Sequence, residues 1–141
     1  MEDLKEIWKP IKGYESRYEV SNLGRVRSLP RLIIRSKMGN YLKKGQIIRQ
    51  GTTTHGYKQV FLYINNVGKM HLVHRLVAQA FLEHIEGYNE VNHKDENKEN
   101  NSVSNLEWCN RKYNQNYGTL HTRRKIKLLS RKTNTNTLIS I

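Results

Sequence analysis

Along the chain, short stretches of alternating apolar and polar residues give way once to a longer stretch with helical spacing, and the predicted elements follow from that contrast. Residues 57 to 64, YKQVFLYI, alternate as a half-buried strand does. Asn65-Asn66-Val67-Gly68 has turn chemistry, so Lys69 to Leu72 reads as the returning strand. From His71 to Leu82 the period changes, and Leu72, Val73, Leu76, Val77, Ala80 and Phe81 fall on one face of a helix. Upstream, Tyr18 and Val20 begin a strand, Ser21-Asn22-Leu23-Gly24 turns it, and Arg25 to Leu29 returns. Arg25 and Arg27 then share one face, with Val26 on the other. Pro30 to Gln50 predicts a second hairpin, exposed at its Met38-Gly39-Asn40 tip. Downstream of a loop at 84 to 89, Glu90 to His93 predicts a strand, Asn97 to Ser104 a polar loop, and Asn105 to Cys109 a returning strand. Asn110 is a natural N-cap and Gly118 a natural stop, which places Asn114 one turn into a short helix. The class is α+β, with the helix of residues 71 to 82 packed under the hairpin that follows it.

Composition narrows this picture without changing it. With 141 residues and 36% hydrophobic content, the chain suits one compact domain, or two small modules and a tail, around a modest core. No apolar run approaches the ~20 residues of a membrane helix, and MEDLKEIWK opens on acids rather than a secretory signal, so a soluble, intracellular protein is expected. Cys109 is the single cysteine, which rules out a disulfide within the chain and a cysteine-based zinc cluster. Beside Trp108 it reads as core. Trp8, Tyr14 and Tyr18 read as a small core rather than as stacking platforms for bases.

Charge changes the picture more. The formal net charge is +13, and it is segregated: residues 20 to 82 hold eleven basic side chains and no acid, and residues 108 to 141 hold eight and none. Between them, residues 83 to 107 carry two basic and seven acidic side chains. Basic blocks of this kind are the footprint of polyanion binding, because each neutralised phosphate releases counterions. Backbone contacts to DNA are expected from Arg25, Arg27, Arg31, Arg35, Lys43, Lys44 and Arg49, and from Arg123, Arg124 and Lys125 in the tail, which reads as a basic helix or as a polybasic disordered segment. A solubilising surface is the plainer explanation of the same charge.

The candidate chemistry lies in the acidic stretch, from Val91 to Asn114: VNHKDENKENNSVSNLEWCNRKYN. A neutral imidazole and a divalent cation together suffice for phosphodiester hydrolysis, one activating water and the other stabilising the leaving oxygen. His93 is the candidate general base, since an ordinary histidine is largely neutral at pH 7. Asn92 and Asn114 offer amide oxygens to a hard cation, Mg²⁺ or Mn²⁺, with water and phosphate oxygens completing its shell. Asp95, Glu96, Glu99 and Glu107 are expected to attract that cation from further out. Neighbours on a strand face opposite ways, so Asn92 and His93 can serve one site only if the strand ends or twists there. A calcium loop beginning at Asp95 fails, because its sixth position is Asn100 and its twelfth Leu106.

The run Val91, Asn92, His93, Lys94, Asp95, then Asn97, Lys98, Asn100, Asn101, then Asn105, Leu106, Glu107, Trp108 resembles the HNH endonucleases of phage and intron homing elements. Residues 8 to 28, with the spacing W-x-x-I-x-G-Y-E-x-x-Y-x-V-S-N-x-G-x-V-x-S, resemble the nuclease-associated module that precedes the HNH core in such proteins. The resemblance implies a β-rich DNA-binding module (1–50), a ββα-metal (HNH, His-Me finger) nuclease core (51–118) and a basic tail (119–141). It implies His93 as general base, Asn105 as the residue that braces the loop, and Asn92 and Asn114 as metal ligands. Related nucleases continue into a helix-turn-helix module after the core; in this chain recognition is expected to rest on the N-terminal module and the tail.

The expected activity is therefore a metal-dependent homing-type endonuclease acting on double-stranded DNA, nicking as a monomer without a protein partner, in the cytoplasm of a bacterial host if phage-borne. A DNA-binding protein that keeps the HNH fold without catalysis is the alternative. RNA binding fits less well, because the aromatics read as core. His74 and Arg75, on the packing helix, read as structural.

Overall fold

The computed structural model describes residues 5–35 and 37–112. The expected helix around Asn114 and the basic tail of 119–141, with Arg123, Arg124 and Lys125, lie outside the described residues.

Three strands open the chain: β1 (Trp8–Pro10), β2 (Tyr18–Ser21) and β3 (Val26–Ser28), paired antiparallel in the order β1-β2-β3. Val20 and Val26 face each other across β2 and β3, both fully buried, and this apolar pair sets the sheet's inner face. β4 (Arg31–Ile33) and β5 (Tyr41–Lys43) form an exposed two-stranded ribbon, as the basic hairpin predicted. The chain then returns along β3, where Ile48 N donates to Val26 O at 2.8 Å.

β6 (Gly51–Thr52), β7 (Lys58–Ile64) and β8 (Val67–Leu72) make the second three-stranded sheet. Val60 and Leu62 point inward while Phe61 and Tyr63 are half exposed, the alternation read in the sequence. The return strand starts at Val67, two residues earlier than expected. Asn65 and Asn66 both take positive φ, 51° and 65°, so those two residues complete the turn and Val67 already pairs with Ile64.

β8 runs into α1 (Val73–Phe81) without a loop. The helix is shorter than the predicted 71 to 82, because Leu72 is still paired with Gln59 in the sheet. Its cap, Leu72, makes no side-chain hydrogen bond, so packing holds the helix. Val73, Leu76 and Val77 meet Ile11, Val20 and Val26 of the first sheet, Val60 and Leu62 of β7, and Val91, Leu106 and Trp108 further on, in one shared core. Full burial of each such aliphatic side chain contributes about 1.5–3 kcal/mol. The sheets are also joined by Tyr18, whose hydroxyl accepts from Tyr63 N at 3.2 Å, and by Tyr14, whose hydroxyl lies 3.0 Å from His71 Nε2.

β9 (Glu90–His93) and β10 (Leu106–Cys109) form the last hairpin, which packs on α1 as the sequence predicted. Arg111 and Lys112 are helical directly after Asn110. Cys109 is buried, and burial pushes its thiol up to about 11, which leaves it an inert core residue. Among the described residues no helix is long and apolar enough to cross a membrane.

Candidate functional site

β9 ends at His93, and the chain turns at once: Lys94 N donates to Asn105 O at 2.8 Å, and Glu96, with a φ of 62°, donates to His93 O at 2.9 Å. Asp95 is the hub of the loop that follows. Its carboxylate accepts from Asn97 N and Asn100 Nδ2, each at 2.8 Å, and from Asn105 Nδ2 at 2.9 Å. The bond from Asn100 and that from Asn97 hold the Asp95 carboxyl below its ordinary range. Asn105 answers with both ends of its amide, accepting from Asp95 N at 3.0 Å and donating to Asn100 O at 2.9 Å. This side chain ties the two ends of the loop together.

His93 sits beneath that loop, only 6% exposed. Its Nε2 lies 2.8 Å from Oδ1 of the buried Asn101. The ring stacks on Tyr57, centroids 6.1 Å apart, and meets His74 edge-on at 5.0 Å. Burial lowers the His93 pKa, opposed by the Asn101 bond and the Asp95 charge. His74 is pushed down to about 3, first by burial and then by His93 and Arg75. Both rings are neutral at pH 7, which is the state a general base requires. His93 Nδ1 has no hydrogen-bond partner among the described residues, yet it is not one of the two buried nitrogens left unpaired, His74 Nδ1 and Trp108 Nε1.

Asn92 is held from the partner strand. It stands opposite Glu107 across the hairpin, and its Nδ2 donates to Glu107 Oε1 at 2.9 Å. The bond engages the amide through its nitrogen and leaves the oxygen as the kind of donor a hard cation takes. Among the described residues no three His, Cys, Asp or Glu side chains cluster as a metal site; the oxygens on this side are the Asn92 amide and the Glu107 carboxylate beside it. Oxygen donors of this kind fit a hard divalent cation, with phosphate and water as further ligands. Asn114 lies outside the described residues. Of the acids expected nearby, Glu107 touches Asn92, Asp95 is committed to the loop, and Glu99 pairs with Lys58 at 3.3 Å.

The basic residues divide into two groups. Arg25 is ion-paired with Glu6, and Arg27 with Glu19 at 2.7 Å; both guanidinium groups lie over Trp8. Arg31 and Lys43 face each other across the exposed ribbon, Arg35 lies over Tyr41 at 4.9 Å, and Lys44 and Arg49 are exposed. A groove of about 220 Å³ opens beside the ribbon, lined by Arg17, Arg31, Lys43, Lys44, Phe61 and Tyr63 among others. Its cationic and aromatic lining suits a phosphate backbone.

Sequence reasoning took His74 as structural without its contact to His93, and passed over Arg17, Tyr57 and any role for Asn101. Asn101 was visible within the motif, but its contact with His93 depends on the path of the loop. His74 lies on the buried face of α1, where a polar residue at an apolar position was the available signal.

Known proteins match this chain in two stretches. A family model described as the NUMOD4 motif matches residues 6–63, and one described as HNH endonuclease matches residues 71–116. DNA endonuclease I-HmuI of Bacillus phage SP01 is 41% identical over 110 residues, which are 76% of this chain and 54% of that protein. An uncharacterised HNH endonuclease of Acanthamoeba polyphaga mimivirus is 40% identical over 119 residues, 84% of this chain and 32% of that protein. The chain thus spans about half the length of the phage relative and a third of the viral one. A solved structure concerned with DNA binding and cleavage by the HNH homing endonuclease I-HmuI superposes with a TM-score of 0.59 at 32% identity, covering 94% of this chain and 62% of that one.

Proposed function

This chain belongs to the HNH homing endonuclease family, and from that premise we propose that it is a metal-dependent endonuclease that nicks double-stranded DNA, with His93 as its general base. The observation that carries the reading is the neutral His93 ring at the end of β9, hydrogen-bonded through one nitrogen and, among the described residues, without a partner at the other. In the reaction His93 takes a proton from the attacking water, a bond forms between that oxygen and phosphorus, and the bond from phosphorus to the 3′ oxygen breaks, that oxygen taking a proton from solvent as it leaves. The products carry 5′ phosphate and 3′ hydroxyl ends. Asn92 and Asn114 would hold a divalent cation through their amide oxygens, and when bound it would supply Lewis-acid stabilisation of the leaving oxygen. Asn105 keeps the loop after His93 closed through Asp95 and Asn100.

Residues 1–50 act as the DNA-contacting module, 51–118 as the nuclease core and 119–141 as a basic tail. The ribbon residues Arg31, Lys43 and Lys44 hold the backbone, with Arg35, Arg49, Arg123, Arg124 and Lys125 adding contacts, while Arg25 and Arg27 contribute once they exchange their acidic partners for phosphate. One site in a monomer cuts one strand. The cytoplasm of a bacterial host is the setting if the chain is phage-borne.

The test is conversion of supercoiled plasmid to open circle in Mg²⁺ or Mn²⁺. Cleavage should vanish on chelation and in His93→Ala, while DNA binding by that variant persists. Binding without cleavage under all these conditions would leave a DNA-binding protein that keeps the fold.

A further inference from the structure

The residue that holds His93 is itself held by a turn far away in the chain. Ser21, fully buried, folds the turn after β2: its Oγ accepts from Leu23 N at 3.2 Å and Arg25 N at 3.1 Å. Gly24 then takes a φ of 89° and lies directly against Asn101. A Cβ at Gly24 would stand 2.8 Å from Asn101 Cβ, closer than real side chains come, and 3.1 Å from its carbonyl oxygen. Two further bonds fasten the contact: Val103 N donates to Asn22 O at 2.8 Å, and Gln50 Nε2 donates to Gly24 O at 2.8 Å. The stretch 101 to 103 is therefore seated on the turn of residues 21 to 24, and Asn101 reaches from that seat to His93.

An amide oxygen accepts and never donates. With Asn101 Oδ1 at 2.8 Å, the single N–H of a neutral His93 belongs on Nε2, and the lone pair on Nδ1. We propose that Asn101, seated by the Ser21–Gly24 turn, is the positioning residue that holds His93 in its Nε2–H tautomer with Nδ1 as the proton acceptor. The proposal rests on the reading of His93 as general base. It gives the N-terminal module a part in catalysis besides contact with DNA, because the turn is where Asn101 gets its position. Without the amide, the ring is free to populate both tautomers and to tilt against Tyr57.

The full chain labelled with ¹⁵N-histidine reports this directly, since long-range proton–nitrogen correlations distinguish the two tautomers. Wild-type His93 should be the Nε2–H form. In Asn101→Ala it should become a mixture, and the nicking kcat should fall about ten- to a hundredfold with KM for DNA unchanged. Gly24→Ala should move both readouts the same way. Gly13→Ala is the control: Gly13 has nearly the same φ, 88°, but nothing within 4 Å of an added Cβ, so it carries the backbone penalty without the contact. It should leave the His93 tautomer and kcat unchanged. An Nδ1–H ring in the wild type, or an Asn101→Ala variant with unchanged tautomer and kcat, would overturn the proposal. Should Gly24→Ala match Gly13→Ala, the role of the turn is lost. Failure of the underlying reading looks different: His93→Ala would go on nicking, whatever tautomer the wild-type ring adopts.

Discussion

His74 makes the stability of this protein depend on pH. Buried on α1 against Tyr57 and His93, it is held neutral, with its pKa pushed down to about 3. In the unfolded chain the same ring titrates near ~6.5. Between those values the unfolded state binds the extra proton, so stability is highest above pH 6.5 and is lost as pH falls towards 3. One such histidine contributes a slope of up to about 1.4 kcal/mol per pH unit. His93 and His71, also lowered by burial, add to it in the same direction. The Asp95 carboxyl is lowered as well, and its contribution is present above the ordinary carboxylate pKa and lost only as pH falls further, so the two windows separate. Urea titrations between pH 7.5 and 5 should therefore show falling stability, and His74→Leu should flatten the dependence. An unchanged slope in that variant would mean that His74 is not the buried neutral ring described here.

At the scale of elements, legibility followed local information. The β7–β8 hairpin, α1 and the β9–β10 hairpin could be read because their apolar periods differ and their turns are marked. β1 and β6 escaped, being three and two residues long, with Pro10 and Gly51 inside them. The clearest marked turn carries a prediction. Asn65 and Asn66 both occupy the left-handed region, which asparagine tolerates and alanine does not. Asn65→Ala and Asn66→Ala should each lower stability by about 1 kcal/mol, while Asn66→Gly should lose nothing. Thermal unfolding compares the three, and an alanine variant as stable as the parent would remove the turn from the account of why this hairpin keeps its register. The candidate site was legible in part for the same reason. His93 and Asn105 carry a local spacing, and the structure puts them at the two ends of one loop. The seat of Asn101 on Gly24 and the packing of His74 on His93 join parts of the chain far apart in sequence, and no local pattern announces such contacts.

For the whole molecule, the proposed function raises the question of which of the many cations would meet DNA. Sequence placed Arg25, Arg27, Arg31, Lys43 and Lys44 in one class, because composition cannot show which charges already have partners. The structure separates them: Arg25 and Arg27 are paired with Glu6 and Glu19 over Trp8, whereas Arg31, Lys43 and Lys44 line an open groove with Arg17. A cation that gives up a carboxylate to bind phosphate gains less than one that meets phosphate from water. Binding measured against salt distinguishes the two classes, since each phosphate contact contributes about 0.9 to the slope of log K against log salt. Replacing Lys43 and Lys44 together by Gln should flatten that slope by about 1 to 2 and weaken binding on any sequence, with the fold intact. Arg25→Gln should flatten it less. Its larger cost should fall on stability, because Glu6 loses its partner. His93→Ala should leave the slope as it was. Equal slopes for the lysine double variant and the parent would move the DNA away from the ribbon, and a large change in Arg25→Gln would put it across Trp8 instead.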